Sequence, residues 1–367
     1  MIPISKPIIE SEEIEAVNAV LVSGMLAQGP LVRQFEEEFA NYCNVKYAVA
    51  LNSGTAAIHA GLYALGLKEG DEVITSPFTF VASANPVLML GGKVIFADIS
   101  EDDFNIDPKE IEKKISTKTR CILPIDLYGQ IYKSGEVKMI ADTHGLSILE
   151  DACQAVGAEQ NGKKAGVCAD IGAFSLYSTK NIMCGEGGVL ITNNEEYSEL
   201  AKRFRHHGQS EQTRYEYLDV GYNYRMMDLQ AAIAIAQLKK VDIFNEKRRL
   251  HARQLSHGLE GIRGLILPSI AEGNKHVFHQ YTIRITDEFR TDRGQFINYL
   301  KEKGIGCGIY YPKPLHMHPH FKKMGYNEGD FPIAEKMSTQ VLSLPVHPSL
   351  TEEEINFILD MIHKYVG

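Results

Sequence analysis

The sequence predicts an α/β protein: a mostly parallel central sheet with helices on both faces, plus a smaller C-terminal α+β domain. Three observations predict it. Between residues 47 and 193, short β-rich runs alternate with helical patterns, as βαβ units do. Those runs read as strands buried on both faces, the habit of parallel sheets. Beyond about residue 260 the chain changes to short strands, Pro-rich turns and a last helix.

Taken in order, the β-rich runs are 47–51 (YAVAL), 72–76 (EVITS), 93–99 (KVIFADI), 121–127 (CILPIDL), 146–151 (LSILED) and 188–193 (GVLITN). A helix opens at Thr55 and carries Ile58, Leu62 and Leu65 at helical spacing. Further helices are expected over 108–115 and 136–145. Residues 227–241, MDLQAAIAIAQLKKV, read as one long buried helix, with helical patterns continuing to about 260. TIRIT and VLSLPV read as strands of the smaller domain, and Thr351 with Glu354 forms a capping box for the final helix. Residues 206–226 follow neither period. A loop of that length is often functional, the plain alternative being a surface excursion.

Length and composition narrow the classes. The 367 residues suggest two domains: 13–240, and 241–367 with residues 1–12 packed against it. Acidic residues outnumber basic ones, 47 to 38, so no basic footprint for nucleic acid is visible. No apolar stretch reaches membrane-spanning length, and the start MIPISKPIIESEE lacks signal-peptide order. The six cysteines are scattered, without zinc or CxxC spacing. Reduced thiols in a cytoplasmic protein are expected.

Polar residues at the carboxyl ends of the strands are the first candidates for a site. NSGTAAIHA (52–60) joins a strand to a helix start. Its free N–H groups and the Thr55 hydroxyl suit a phosphate, although an ordinary capped helix reads the same way. Phe78 and Phe80 follow the next strand and are either core or a stacking surface for a flat ring. Glu150 and Asp151 close LSILED and point to opposite faces. One of them can bind a metal, act as a base, or hold a ring nitrogen protonated. Lys180 lies between a strand, the Ser175 hydroxyl and a glycine-rich turn. An amine enclosed in that way has a lowered pKa and can form a Schiff base, whereas most lysines are solvated.

A phosphate cradle, a stacking aromatic, a strand-end aspartate and an enclosed lysine match the needs of pyridoxal phosphate (PLP). At this point the chain resembles a known family. The carrying motifs are SGMLAQGPLVRQFEEEFA, NSGTAAIHAGLYALGLKEGDEVITSPFTFVASANP, LYGQ, ILEDACQAVGA, FSLYSTKNIMCGEGG, RHHGQ, GYNYRMMDLQAA and YYPKPLH. They resemble the DegT/DnrJ/EryC1/StrS family of PLP-dependent nucleotide-sugar aminotransferases, of the aspartate-aminotransferase type I fold.

The resemblance implies a set of roles. Lys180 tethers the cofactor, Asp151 pairs with its ring nitrogen, Phe80 stacks on the ring, and Gln154 contacts the ring oxygen. Thr55, the Ala56 backbone and Ser175 hold the phosphate. Asn223 reaches the neighbour's phosphate, which implies a homodimer with shared sites. Glu186, Arg225, Tyr311 and His316 fall where the family handles substrate. The implied activity moves an amino group from glutamate to a UDP- or dTDP-linked keto-sugar, leaning to a 3-keto sugar. A PLP-dependent dehydratase or lyase and a regulatory protein of the same fold are the rivals, and Lys180 speaks against the dehydratase branch, which carries histidine there. Many relatives have His-Tyr-Pro where this chain has Tyr310-Tyr311-Pro312. His316, His318 and His320 invite a metal reading that Pro319 disfavours, and no metal is expected.

Overall fold

The computed structural model describes residues 1–210, 213 and 215–367. Seven strands build the central sheet: β1 (Tyr47–Leu51), β2 (Glu72–Thr75), β3 (Lys93–Phe96), β4 (Thr119–Leu123), β5 (Ser147–Asp151), β6 (Ile171–Ser175) and β7 (Gly188–Thr192). Their order is β1-β7-β6-β5-β4-β2-β3. Only β7 runs against its neighbours, and the remaining pairings from β6 to β3 are parallel. The predicted fold class is therefore the observed one.

Two expected runs stop early for local reasons. The run from 121 ends at Leu123 because Pro124 follows. The run from 93 ends at Phe96, and Asp98 instead accepts hydrogen bonds from the Ile333 and Ala334 N–H groups at 2.9 and 3.0 Å. β6 was absent from the expected β-rich runs. It carries Gly172, where a Cβ would lie 2.5 Å from the Gly166 backbone.

Side chains of successive strand residues enter opposite layers. Ile122, Ile148 and Ile191 join Phe35, Phe39 and Phe174 on one face. Leu123, Leu149 and Leu190 join Leu62, Phe78 and Phe204 on the other. Each such fully buried side chain contributes about 1.5–3 kcal/mol, which is why the sheet is a rigid platform.

The helices that matter here are α1 (Ser11–Ser23), α2 (Pro30–Cys43), α3 (Gly54–Ala64), α4 (Ser134–His144), α5 (Glu195–Arg205), α6 (Asp228–Leu238), α7 (Val241–Leu259) and α8 (Glu352–Val366). The single helix expected over 227–241 is two. The last turn of α6 tightens, with the Lys240 N–H returning to the Gln237 carbonyl at 3.0 Å. The Lys240 ammonium is then held by Glu10, Glu12 and Glu13 around α1. The α8 capping box forms as expected.

A third apolar cluster contains Leu255, Ile283, Leu342 and Ile358 together with Ile2 from the N-terminus. Helix α7 enters it only after Val241 and Phe244 have packed against the central sheet. Residues 206–226 follow neither period in the sequence, yet their ends pair. His206 bridges Asn223 and Gln209 bridges Tyr217 in antiparallel fashion. Gly208 turns at φ +71, where a Cβ would sit 1.7 Å from the Asp219 carbonyl oxygen. The returning leg then pairs Arg225 with Leu51 at the end of β1. Glu211, Gln212 and Arg214 of this stretch lie outside the described residues.

Candidate active site

A cavity of about 650 Å³ opens beyond the carboxyl ends of the parallel strands, where open α/β sheets bind ligands. Each strand end delivers one part of it. After β1, the Ser53 side chain caps α3 by accepting the Ala56 N–H at 3.1 Å. Helix geometry leaves the Gly54 and Thr55 N–H groups without intrahelical acceptors, and both residues line the cavity. A Cβ at Gly54 would lie 2.8 Å from the Ser175 Cβ, so glycine lets the helix start against β6. With the Thr55 and Ser175 hydroxyls, this corner offers the donors that could cradle a phosphate. Ala56 stands one residue inside, and its N–H is already taken by Ser53.

After β2, Phe80 lines the cavity while 58% exposed, its ring 6.4 Å from that of Tyr311 and nearly parallel to it. Such a surface is free to stack on a flat ring. From β5 comes Asp151, buried and accepting two hydrogen bonds, from the Ser83 hydroxyl at 2.6 Å and the Cys153 N–H at 3.2 Å. Thr79 lies 3.1 Å behind Ser83 in the same chain of contacts. Gln154 is fixed at both ends, accepting the Tyr128 N–H at 2.9 Å and donating to the Tyr311 hydroxyl at 3.3 Å.

Lys180 follows β6. Burial pulls its ammonium below the usual lysine range, while the neighbouring Cys153 and Asp151 oppose that shift. Its loop is anchored by the next residue. Asn181 donates to Asn245 of α7 at 2.7 Å and to the Val277 carbonyl at 3.0 Å. One turn on, Arg248 donates to the Phe278 and His279 carbonyls at 3.1 and 3.4 Å. Helix α7 thus braces two walls of the cavity from behind.

The residues expected from the sequence divide into three groups. Lys180, Asp151, Thr55, Phe80, Gln154 and Ser175 converge on this cavity, joined by Glu186 and Tyr311. Asn223 and Arg225 do not. They line a second cavity of about 620 Å³, with Glu186 at the border of both. Arg225 Nη1 lies 2.7 Å from His206 Nδ1. His316 departs from expectation. It is fully buried, its Nε2 2.8 Å from Glu335 and its ring edge-on to Phe331 at 4.8 Å. Leu315, anchored in the core and bonded to the Pro77 carbonyl, draws the histidine inward, so it lies outside the lining of the cavity. Among the described residues no group of three or more His, Cys, Asp or Glu side chains could hold a metal ion. No helix among them is long and apolar enough to cross a membrane.

Sequence reasoning missed several contributors. Ser83 lay inside a quoted motif, but a serine in a short turn carries no signal of its own. His279 and Gln280 also line the cavity. Burial, followed by the charges of Lys180, Arg248 and His276, holds the His279 imidazole well below its usual range, so it is neutral there. Only a histidine–glutamine pair just before a predicted strand hinted at it.

These residues suit PLP. The cradle offers unpaired donors for a phosphate, Phe80 an open aromatic face, Asp151 a buried carboxylate and Lys180 an amine of lowered basicity. Comparison with known proteins agrees. The model of the DegT/DnrJ/EryC1/StrS aminotransferase family matches residues 7–363. The chain is 38% identical to the "Pleiotropic regulatory protein" of Geobacillus stearothermophilus, covering 97% of this chain and 95% of that one. It is 35% identical to the dTDP-3-amino-3,4,6-trideoxy-alpha-D-glucose transaminase of Streptomyces venezuelae, covering 97% and 93%. Among solved structures, NtdA from Bacillus subtilis with bound cofactor PMP superposes with a TM-score of 0.90 at 34% identity, covering 98% of this chain and 83% of that one. With a lysine, a carboxylate and a phosphate cradle gathered at one sheet edge, and with the family matched along nearly its whole length, this chain belongs to the DegT/DnrJ/EryC1/StrS aminotransferase family and is a PLP-dependent sugar aminotransferase.

Proposed function

We propose that the enzyme takes its amino group from glutamate and delivers it to a keto-sugar linked to UDP or dTDP. The observation that carries this reading is a lysine amine of lowered basicity and a buried carboxylate lining one cavity, Lys180 and Asp151. When bound, the cofactor supplies an aldehyde that takes up the amino group and a ring that accepts electrons. Thr55, Ser175 and the first N–H groups of α3 hold its phosphate. Phe80 stacks on its ring, Gln154 contacts the ring oxygen, and Asp151 keeps the ring nitrogen protonated. Lys180 tethers it and then, as a free amine, moves the proton at the substrate carbon. LYGQ, RHHGQ and LSLPVHP favour a 3-keto sugar, including a UDP-2-acetamido-3-keto-uronate. The Streptomyces relative, named for a 3-amino sugar, supports that lean.

The name of the Geobacillus relative favours a second reading, a regulatory protein. A regulator without chemistry needs neither Lys180 nor Asp151, and this chain has both. Incubating the PLP-loaded protein with glutamate and candidate nucleotide keto-sugars separates the readings by mass spectrometry. An amino-sugar together with 2-oxoglutarate is the expected product pair. A product lighter by one water would indicate a dehydratase, and no product from any keto-sugar would favour the regulator.

We infer further that the protein works as a homodimer with shared sites. Asn223 is exposed and lines the second cavity, outside the one that holds Lys180. In this reading it bonds the neighbour's cofactor phosphate. Inactive Lys180→Ala and weakened Asn223→Ala, mixed under conditions of subunit exchange, should then regain activity above either parent. One site of the heterodimer carries both lesions and the other carries none. The asparagine–phosphate bond is worth about 1.5–3 kcal/mol, which bounds the gain. Exchange without rescue, alongside a clear Asn223→Ala defect, would place Asn223 in its own chain's site.

A further inference from the structure

Directly behind Asp151 lies a buried group of polar atoms that the chemistry above does not use. Asp126, Tyr132 and Glu150 are all fully enclosed. Asp126 accepts the Tyr132 N–H through Oδ1 at 3.2 Å, and Glu150 accepts the Gly166 N–H through Oε1 at 2.6 Å. Among the described residues, no donor reaches the second oxygen of either carboxyl, Asp126 Oδ2 or Glu150 Oε2. The turn that carries Asp126 is bonded to the end of β5 that carries Glu150, and each carboxyl lies within reach of the other's charge. A carboxylate has no proton to donate, so two ionised carboxyls cannot satisfy each other's free oxygens, whereas one proton between them can.

The surroundings make the same demand. The titratable groups facing the pair are Tyr132 and Cys168, with Asp170 beyond Tyr132, Cys153 on the Asp126 side and Cys43 on the Glu150 side. All of these are acids. Lysines act on the surrounding cysteines, Lys163 on Cys168, Lys164 on Cys43 and Lys180 on Cys153. Among the described residues no lysine, arginine or histidine bonds either carboxyl. Two ionised carboxylates in contact inside a protein repel strongly, and one proton removes that repulsion.

The pair also occupies a mechanical position. The Asp126 N–H donates to the Asp151 carbonyl at 3.0 Å, and the Asp151 N–H donates to the Pro124 carbonyl at 2.9 Å. Glu150 is the residue before Asp151 on β5. The Gly129 N–H returns to the Asp126 carbonyl at 3.3 Å, closing the turn whose Tyr128 N–H holds Gln154. Repulsion between the two carboxyls would therefore part the end of β5 from the 124–129 turn, at the point where Asp151 and Gln154 are set.

We propose that Asp126 and Glu150 share a single proton, and that this neutralised pair is a positioning device for Asp151 and Gln154. Burial, and then the charge of Glu150, push the Asp126 carboxyl well above the usual carboxylate range. Burial raises Glu150 as well. The proton belongs to the pair, so the folded protein holds it at neutral pH while the unfolded chain does not. Stability linked to this proton is full below the ordinary carboxylate pKa and is lost as pH rises through the raised one.

The proton itself is tested on cofactor-free protein, independently of any reading of Asp151. Infrared spectra at neutral pH should show a protonated carboxyl carbonyl band. That band should disappear in Asp126→Asn and in Glu150→Gln, and in wild type on raising the pH. In Asp126→Asn the amide donates permanently to Glu150. Relative to this variant, wild type should lose up to about tenfold in its folding constant per pH unit between the two pKa values. A wild-type spectrum with no such band, or one unchanged in either variant, would overturn the shared proton. The positioning role rests on the assignment of Asp151 and is read from turnover. Asp126→Ala should lower kcat at least tenfold with KM nearly unchanged, and Asp126→Asn should restore it; wild-type kcat should fall at alkaline pH as the shared proton is lost, and that of Asp126→Asn should not. Wild-type kcat in Asp126→Ala, in an enzyme where Asp151→Asn is damaging, would overturn the positioning role alone.

Discussion

Lys180→Ala is expected to abolish turnover and to remove the proposed covalent tether to the cofactor, while the residues proposed to cradle the phosphate should still hold free cofactor. The cradle is built from Thr55, Ser175 and the start of α3, none of which depends on the lysine. Two functions leave with the amine. One is the tether, and the other is proton movement at the substrate carbon, for which a positioned general base contributes about 10²–10⁴-fold. Lys180→Arg should be no better, because a guanidinium stays charged and cannot act as a free amine. The measurement is direct. Borohydride reduction of the loaded wild type, followed by peptide mapping, should leave the label at residue 180. A label on any other lysine would remove Lys180 from its role, whatever the kinetics of the variant.

The reason Lys180 was legible in the sequence is the reason most of the cavity was. Strands β1, β2, β5 and β6 each end in a short motif, and a parallel sheet gathers such ends at one edge. NSGT, SPFTF, ED and STKN therefore become neighbours without any knowledge of side-chain positions. What was not legible comes from elsewhere in the chain. Asn245 and Arg248 sit inside an ordinary amphipathic helix, and only the fold turns that face toward Asn181 and His279. Asp126 read as part of a β-rich run, and its contact with Glu150 is a matter of strand order.

His316 shows the opposite failure. A motif indicated where the histidine falls along the chain, but Leu315 packing in the core decides which way it points. The helix expected over 227–241 failed for a related reason. Its apolar period is continuous, yet the chain turns after Leu238, where three carboxylates gather around Lys240. Asn223 and Arg225 were named from the family pattern, and both line the adjoining cavity instead of the one that holds Lys180. That separation is compatible with the shared site proposed above.

Asp151→Asn should lower turnover by at least about 100-fold while leaving the fold intact. The carboxylate is buried and receives two donors from the chain, Ser83 at 2.6 Å and the Cys153 N–H at 3.2 Å. Those donors fix its orientation at the cavity wall. A charged acceptor facing a protonated ring nitrogen forms a charge-assisted hydrogen bond, roughly twice as strong as a neutral one. The interaction matters most when the ring accepts electrons, so its loss falls on the transition state. Asparagine keeps the shape but offers a neutral oxygen and an amide nitrogen, and one of its ends must face a donor. Cofactor affinity should fall less than kcat, because the phosphate cradle and Phe80 are untouched. Ser83→Ala provides the graded control. It removes one donor and leaves the charge, so its kcat should lie between those of wild type and Asp151→Asn. A near-wild-type kcat in Asp151→Asn would make the residue a structural cap for the turn at Cys153. A loss in Ser83→Ala equal to that in Asp151→Asn would mean that orientation, and not charge, is what the carboxylate contributes.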